Sequence, residues 1–380
     1  MRDGWVETTL DRVTECSWGN TETTKSKYVV SGYLAYSASG ADGFLDWFEH
    51  DRTAVVLSAI GAQCGKTWFA EGQWTSIKNT IWLKSNNLNL LDKYLFYLSN
   101  RHQFWQIRGQ AQPFISLGDV KKTKVLLPPL PEQKRIVDLI SSVDSYIEAL
   151  QRQLESAKRS RNAVLHELLT AGGDDWVRAG LSEICTMIKR GQAPSYTEQK
   201  SVTVLNQKCV RNGRIQFEFA RQTDINIKPI NEWAYLRAED TLVNSTGVGT
   251  LGRVAFVGIQ DEPLTVDSHL TIVRPDKNKI QPSFLGLSLH FREADIEGLA
   301  AGSSGQTELS REALGNLIIT IPPLQEQKRI VEIITGMDTV VNQTQLAITE
   351  VQNLRSGLLS DLVSGTHEIP LSYDKVMGAA

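Results

Sequence analysis

The feature that most constrains this chain is that it repeats itself. Residues 127–140 read LPPLPEQKRIVDLI and residues 321–334 read IPPLQEQKRIVEII, with ten of fourteen positions identical and three of the other four conservative. The offset of 194 residues holds without a gap to the end of each segment, so Arg161 matches Arg355, Leu165 matches Leu359 and Leu168 matches Leu362. It also holds upstream, where Gln112-Pro-Phe-Ile-Ser116 faces Gln306-Thr-Glu-Leu-Ser310. A weaker echo opens each half, Trp5-Val6 and Leu10 against Trp176-Val177 and Leu181. Self-similarity at a fixed offset marks a duplicated structural unit. The order is variable segment, long segment, variable segment, long segment.

Both long segments read as helices. The first opens at Pro131-Glu132-Gln133; proline is tolerated in a first helical turn, and an acidic residue there suits the positive end of the helix dipole. Apolar residues then fall at Ile136, Ile140, Val143, Ile147, Leu150, Leu154, Ala157, Val164 and Leu168, with Arg161 in the one slot that is not apolar. The second segment puts Ile330, Ile334, Met337, Val341, Thr344, Ile348, Val351, Arg355, Leu358 and Leu362 in the same slots. Steps that alternate four and three make the seam of a left-handed coiled coil. Each helix should run about 37 residues, or about 55 Å, and stop at Gly172-Gly173 or Gly365. Two such seams in one chain most simply pair with each other, antiparallel; the competing reading is that each packs on its own domain. In a seam, Arg161 and Arg355 must reach the rim or meet an acidic residue of the opposite helix, because a bare charge in a dry interface is costly.

Composition excludes several classes. No apolar run approaches the roughly 18 residues of a membrane helix, and the start lacks a charged-then-apolar leader pattern. Cys16, Cys64, Cys185 and Cys209 are scattered without CxxC spacing, which argues against a zinc site or a disulfide framework and fits a reducing cytoplasm. The net charge is −3, and residues 1–127 carry 14 basic and 12 acidic groups against 16 and 18 in residues 171–321. A chain this neutral would hold nucleic acid weakly by phosphate neutralisation alone. A basic partner, or local basic loops on a neutral body, would have to supply the rest.

The repeated PPLxEQKRIV start, the long heptad helix after it and the two dissimilar domains resemble the specificity subunit of type I restriction–modification enzymes. The resemblance covers the whole chain. It implies an α+β protein with two mixed α/β target-recognition domains joined by two long helices in an antiparallel coiled coil, with pseudo-two-fold symmetry. The divisions would be 1–128, first recognition domain; 129–172, first spacer helix; 173–322, second recognition domain; 323–365, second spacer helix; 366–380, tail. Each recognition domain would read one half of a split site in double-stranded DNA, and the helices would set the unread gap. They would also dock two methyltransferase subunits, through Gln133, Lys134 and Arg135 and through Gln327, Lys328 and Arg329, with restriction/translocase subunits in the full complex. S-adenosylmethionine is expected on the methyltransferase and no cofactor or metal on this chain. The expected location is the cytoplasm, with no membrane partner.

The variable domains have short β-rich stretches at 28–30, 54–57 and 80–83, and at 202–205, 214–219 and 253–257, with short helices over 89–99 and 282–291. Asn212-Gly213 signals a hairpin. In the second domain three segments are candidates for DNA. Arg190, Gln192, Ser195 and Tyr196 lie in a turn resembling the family's G-x-x-P-S. Asn206, Gln207, Lys208, Arg211 and Asn212 are amides and cations of the kinds that pair with adenine and guanine. The segment 244–253 offers Ser245, Thr246, Gly247 and Arg253, with three glycines that permit close backbone approach. Gln306 joins them from the repeat's upstream edge. In the first domain a degraded counterpart, 58–67, offers Gln63, Lys66 and Thr67, with Lys66 in the place of Arg253; Lys25, Lys27 and Tyr28 are further candidates. For each, a plain surface turn or strand end is the competing reading. Trp74 or Tyr28 could stack on a displaced base, but core packing is the better explanation. Arg101-His102 are phosphate contacts or merely solvated, and 121–124, near the end of the helical rod, could touch phosphate or a partner.

Other chemistries lack their motifs. Gly65-Lys66-Thr67 ends like a phosphate-binding loop, but Ile60 stands where that pattern needs glycine. Asp267, Ser268 and His269 have no nucleophile context. The Pro-Pro pairs follow Leu127 and Ile321, not the Asn or Asp of an adenine methyltransferase motif, and no carboxylate cluster suggests a nuclease metal site. The chain is therefore expected to be non-catalytic, with partners flipping and modifying the base. Two alternatives stay open: a specificity subunit for a fused methyltransferase–nuclease, and a coiled-coil scaffold with two protein-binding heads.

Overall fold

A computed structural model describes residues 4–86, 89–101, 103–301, 307–370 and 372–373. The chain divides into two compact units, one of Met1–Arg152 with Gln345–Ala380 and one of Gln153–Thr344. Each unit holds one variable segment and half of each long helix.

The first unit is built on two four-stranded sheets. One runs Thr14–Trp18, Thr80–Ser85, Ala54–Ser58, Thr67–Ala70. The other runs Gly40–Leu45, Tyr33–Ser37, Gln73–Ser76, His50–Asp51 and contains a parallel pair, Leu34 beside Trp74. The strand of Ala54–Ser58 is buried throughout, which is why it reads as an unbroken apolar run rather than an alternating one. Helix Asp92–Ser99 covers the first sheet with Tyr94, Leu95, Tyr97 and Leu98. Residues 136, 140, 359, 362 and 363 of the long helices join the same core. A short antiparallel pair, Val6–Thr9 with Lys124–Leu127, clasps the two ends of the variable segment.

The second unit repeats this plan. Its first sheet runs Cys185–Arg190, Leu270–Pro275, Thr241–Asn244, Val254–Phe256, and its second runs Tyr196–Thr197, Arg221–Thr223, Val202–Leu205, Leu264–Val266. The parallel pair recurs between Val202–Leu205 and Leu264–Val266. The edge strand differs, with Tyr196–Thr197 on Arg221–Thr223 but His50–Asp51 on Gln73–Ser76, and the second unit adds a hairpin of Val210–Arg211 with Arg214–Ile215. The clasp recurs as Val177–Gly180 with Ile318–Ile321.

The repeated motif owes much of its identity to these junctions. Trp5 Nε1 donates to Glu132 at 3.1 Å and Trp176 Nε1 to Glu326 at 3.2 Å. Gln133 is 0% exposed; its amide accepts from Leu91 N and donates to Asn89 O and Pro128 O. Gln327 is 1% exposed and accepts from Gln281 N while donating to Pro322 O. These two glutamines were expected on a docking face. They are interior braces instead, because each satisfies backbone groups that burial would leave unpaired.

Both long helices are 41 residues, Leu130–Thr170 and Leu324–Ser364. They stop just before Gly172 and at Gly365, both with positive φ. Every slot of the 4-3 pattern is buried or half-buried in both helices, and most intervening positions are exposed. The two seam arginines meet acids of the other long helix: Arg161 binds Asp338 within the second unit, and Arg355 binds Asp144 within the first. The acids are themselves a repeat pair.

Three sequence expectations need correction. Residues 28–30 form no strand, only a bridge of Val29 to Phe44, because Lys25–Lys27 is a 3-10 turn and the strand starts at Tyr33. Residues 214–219 divide into a two-residue strand and a 3-10 turn. The Asn212-Gly213 hairpin does form, with φ of 51° and 74°. The helix expected from 89 starts at Asp92, since the Gln133 amide takes the backbone of Asn89 and Leu91 and Leu91 is extended. The helix at Pro282–Phe291 forms as expected.

Candidate functional site

The candidate loops join equivalent strands in the two units, and backbone hydrogen bonds fix their alignment. Ala59 N donates to Asn79 O and Ile115 N to Ala59 O; Ser245 N donates to His269 O and Leu309 N to Ser245 O. Ile60 bridges Phe114, and Thr246 bridges Glu308. Gly65 N returns to Ser58 O, and Gly252 N to Asn244 O. Ala59 thus matches Ser245, Ile60 matches Thr246, and Lys66 matches Arg253, with the second loop one residue longer. Gly61 and Gly247 have φ of 106° and 105°, Gly65 and Gly252 φ of 93° and 83°. These are backbone states that a side chain would strain, so the glycines are loop framework.

In the second unit the loops at 190–196, 206–212 and 244–253 come together. Asn244 Nδ2 donates to Gln207 O at 3.0 Å and to Thr250 O at 2.9 Å. Arg190 pairs with Glu308 and donates to Leu309 O. Thr246 Oγ1 lies 2.6 Å from His269 Nδ1. Asp267, 2% exposed, accepts from His269 N at 2.9 Å and from the Tyr196 hydroxyl at 3.3 Å. Burial raises the Asp267 carboxyl above its ordinary range and the Tyr196 phenol above its own. The Arg221 guanidinium lies 3.6 Å from the centre of the Tyr196 ring. The result is a polar, mixed-charge surface with donors and acceptors in fixed places.

The candidates divide by what they do within the fold. Lys208, Arg211, Asn212 and Tyr196 are exposed, Gln192 and Gln207 partly so. Gln192 accepts from Asn231 N at 2.8 Å. Ser195 is fixed through its backbone to Thr223 and Asp224. Arg211 leans on the Phe219 ring. Arg253 is half-buried and donates to Gly249 O at 2.7 Å, closing its own loop. Two are structural instead. Ser245 is 0% exposed and bonded to Thr271. Asn206 caps the 3-10 turn at 207–209 and donates to Phe219 O. Gln306 falls outside the described residues, as does His102.

In the first unit Lys66 is exposed and Gln63 half-buried beside it. Thr67 is 5% exposed and opens a strand, so it is not a contact residue. Lys27 is exposed. Lys25 and Tyr28 converge on Asp42, with the phenol donating at 2.8 Å. Burial opposes the charge on Asp42, but hydrogen bonds from Lys25, Ser37 and Tyr28 hold its carboxyl below the ordinary range. Trp74 is 0% exposed and donates to Arg52 O. Along the long helices Lys134, Lys328 and Arg329 are exposed and Arg135 is half-buried. Sequence reasoning did not single out Glu308 or Asp42, and it set Asp267 aside with Ser268 and His269 for want of a nucleophile; a carboxylate in a loop carries no sequence mark of the partners it meets. Among the described residues there is no group of histidine, cysteine or carboxylate side chains that could hold a metal ion, and no helix long and apolar enough to cross a membrane.

Comparison with known proteins fits this geometry. A family model described as the type I restriction modification DNA specificity domain matches residues 2–159 and again 173–351. The chain is 24% identical over 338 residues to the type I restriction enzyme MjaVIII specificity subunit of Methanocaldococcus jannaschii, covering 82% of this chain and 78% of that one. It is similar in fold to the type I restriction–modification S subunit from M. genitalium, with a TM-score of 0.61, 17% identity, and 94% and 96% of the two chains covered. It is similar also to a chain solved in work on complex assembly and conformational transition of the type I R-M system, with a TM-score of 0.63, 17% identity, and 96% and 98% covered.

Proposed function

This chain belongs to the type I restriction modification DNA specificity family, and on that premise we propose that each of its two units reads one half of a bipartite DNA site. The observation that carries this reading is the paired loops. Two units share one framework of sheet order and loop hydrogen bonds, yet present different side chains on it. A duplicated reader with different residues is what a split, non-palindromic site requires. Phosphate contacts would come from Lys66, Lys208, Arg211 and Arg253, and base contacts from the amides and hydroxyls among them.

In this reading the two long helices form an antiparallel coiled coil that fixes the gap between half-sites. The 4-3 burial pattern and the Arg161–Asp338 and Arg355–Asp144 pairs support it. Methyltransferase subunits dock on the exposed helix starts near Lys134, Lys328 and Arg329, and carry S-adenosylmethionine and the catalytic groups; restriction/translocase subunits complete the assembly. This chain supplies recognition without catalysis. Several of its cations are already held by carboxylates, as in Lys25–Asp42 and Arg190–Glu308. Its own phosphate affinity is therefore weak and its partner's basic surface matters.

The test uses the complex with its methyltransferase and duplexes in which one half-site is scrambled. Arg253→Ala is expected to weaken retention through one half-site about tenfold, as loss of a charged hydrogen bond does, and to leave the other half unaffected. Lys66→Ala is expected to do the reverse. Equal loss through both halves would contradict the assignment, and retention independent of sequence would favour a protein-binding scaffold.

A further inference from the structure

The two units exchange residue types at one rung of the shared framework. Phe114 bridges Ile60 and Arg108 in the first unit; Glu308 bridges Thr246 and Ala301 in the second. The strand end beside that loop shows the same kind of exchange. Trp18 stands opposite Ile81, and Arg190 opposite Thr271. The next residue fixes the match, since Gly19 N donates to Thr80 O and Gly191 N to Leu270 O. In the first unit both positions are aromatic, with Trp18 36% and Phe114 39% exposed. In the second they are an ion pair, with the Glu308 side chain 58% exposed and Arg190 also donating to Leu309 O at 3.2 Å.

Packing does not explain the exchange, because the same bridges and backbone hydrogen bonds hold the rung in both units, Phe114 to Ile60 and Arg108 and Glu308 to Thr246 and Ala301, and neither side chain is in the core. We propose that this rung is a base-reading position, and that the exchange of Phe114 for Glu308 sets different bases in the two half-sites. Phe114 takes a thymine 5-methyl group by apolar contact. Glu308 accepts from the exocyclic amine of cytosine or adenine. A bare carboxylate beside the phosphates would be repelled; Arg190 offsets its charge and fixes its orientation. Arg190 is thus a positioning residue for Glu308 rather than a phosphate clamp. This rests on the reading that the units bind DNA.

The test is to sequence the sites methylated by the whole complex carrying the wild-type chain, Phe114→Glu, Glu308→Phe or Glu308→Gln. Glu308→Gln keeps the side chain's length and an acceptor for Arg190, so it separates recognition from folding. Both Glu308 variants are expected to lose about tenfold in selectivity at a single base of the half-site that Arg253→Ala affects. Phe114→Glu is expected to do so in the other half only. Undiminished selectivity at every position overturns the proposal, as does equal loss in both halves. A wild-type complex that methylates no gapped motif would overturn the underlying DNA-reading function instead, and is seen before any variant is examined.

Discussion

Removing one heptad from each long helix, residues 149–155 and 343–349, is expected to shorten the gap in the methylated site by about three base pairs. Seven helical residues span roughly 10 Å, and a base pair of DNA rises about 3.4 Å. Whole heptads keep the seam in register. The cut removes Leu150 and Leu154 from one helix and Thr344 and Ile348 from the other, and spares both arginine–aspartate pairs. Three base pairs also turn the second half-site by about a third of a helical turn, so methylation at the native gap should fall at least tenfold. The methylated motifs of the deletion complex measure both effects. A native gap methylated at native rates would refute the role of the helices as the spacer.

The second large effect concerns stability. Gln133→Leu is expected to destabilise the first unit by about 3–5 kcal/mol and Gln327→Leu the second by about 2–4 kcal/mol, since each buried polar group left unpaired costs about 1–3 kcal/mol. Gln133 serves Leu91 N, Asn89 O and Pro128 O, all out of reach of a leucine side chain that can only fill space. For a unit of this size the midpoint of thermal unfolding should drop by roughly 10 °C. Differential scanning calorimetry of the two variants measures it. An unchanged midpoint, with loss of methyltransferase binding instead, would return these glutamines to the docking role that the sequence suggested.

The case of Gln133 shows where sequence reasoning stopped. The repeat, the two long helices and their 4-3 burial pattern were legible because they are periodic, and a period is a statement about one face of one element. For the two arginines the sequence left open the rim or an acid of the other helix, and the structure shows the acid. The strands at 54–58 and 80–85 were legible because buried central strands are apolar runs. What a conserved-looking polar residue bonds to has no such signature. Gln133 lies in a charged stretch, PEQKR, and its neighbour Lys134 is exposed, yet the rotation of about 100° between successive helix residues sends the glutamine inward. Ser245 and Thr67 were misjudged for the same reason. A hydroxyl in a glycine-rich loop suits phosphate by type, but these two face the sheets. Glu308 was hidden the other way, as a carboxylate whose importance comes from Arg190, more than a hundred residues away in sequence.

The most direct test of the central claim is to map methylated adenines across the genome of cells expressing this chain with its methyltransferase partner. The account expects one bipartite motif, two short and different half-sites separated by a fixed run of unspecified bases. Exchange of residues 173–322 for the same segment of another family member should change one half and leave the other intact. A continuous motif, or methylation that ignores the exchange, would contradict it.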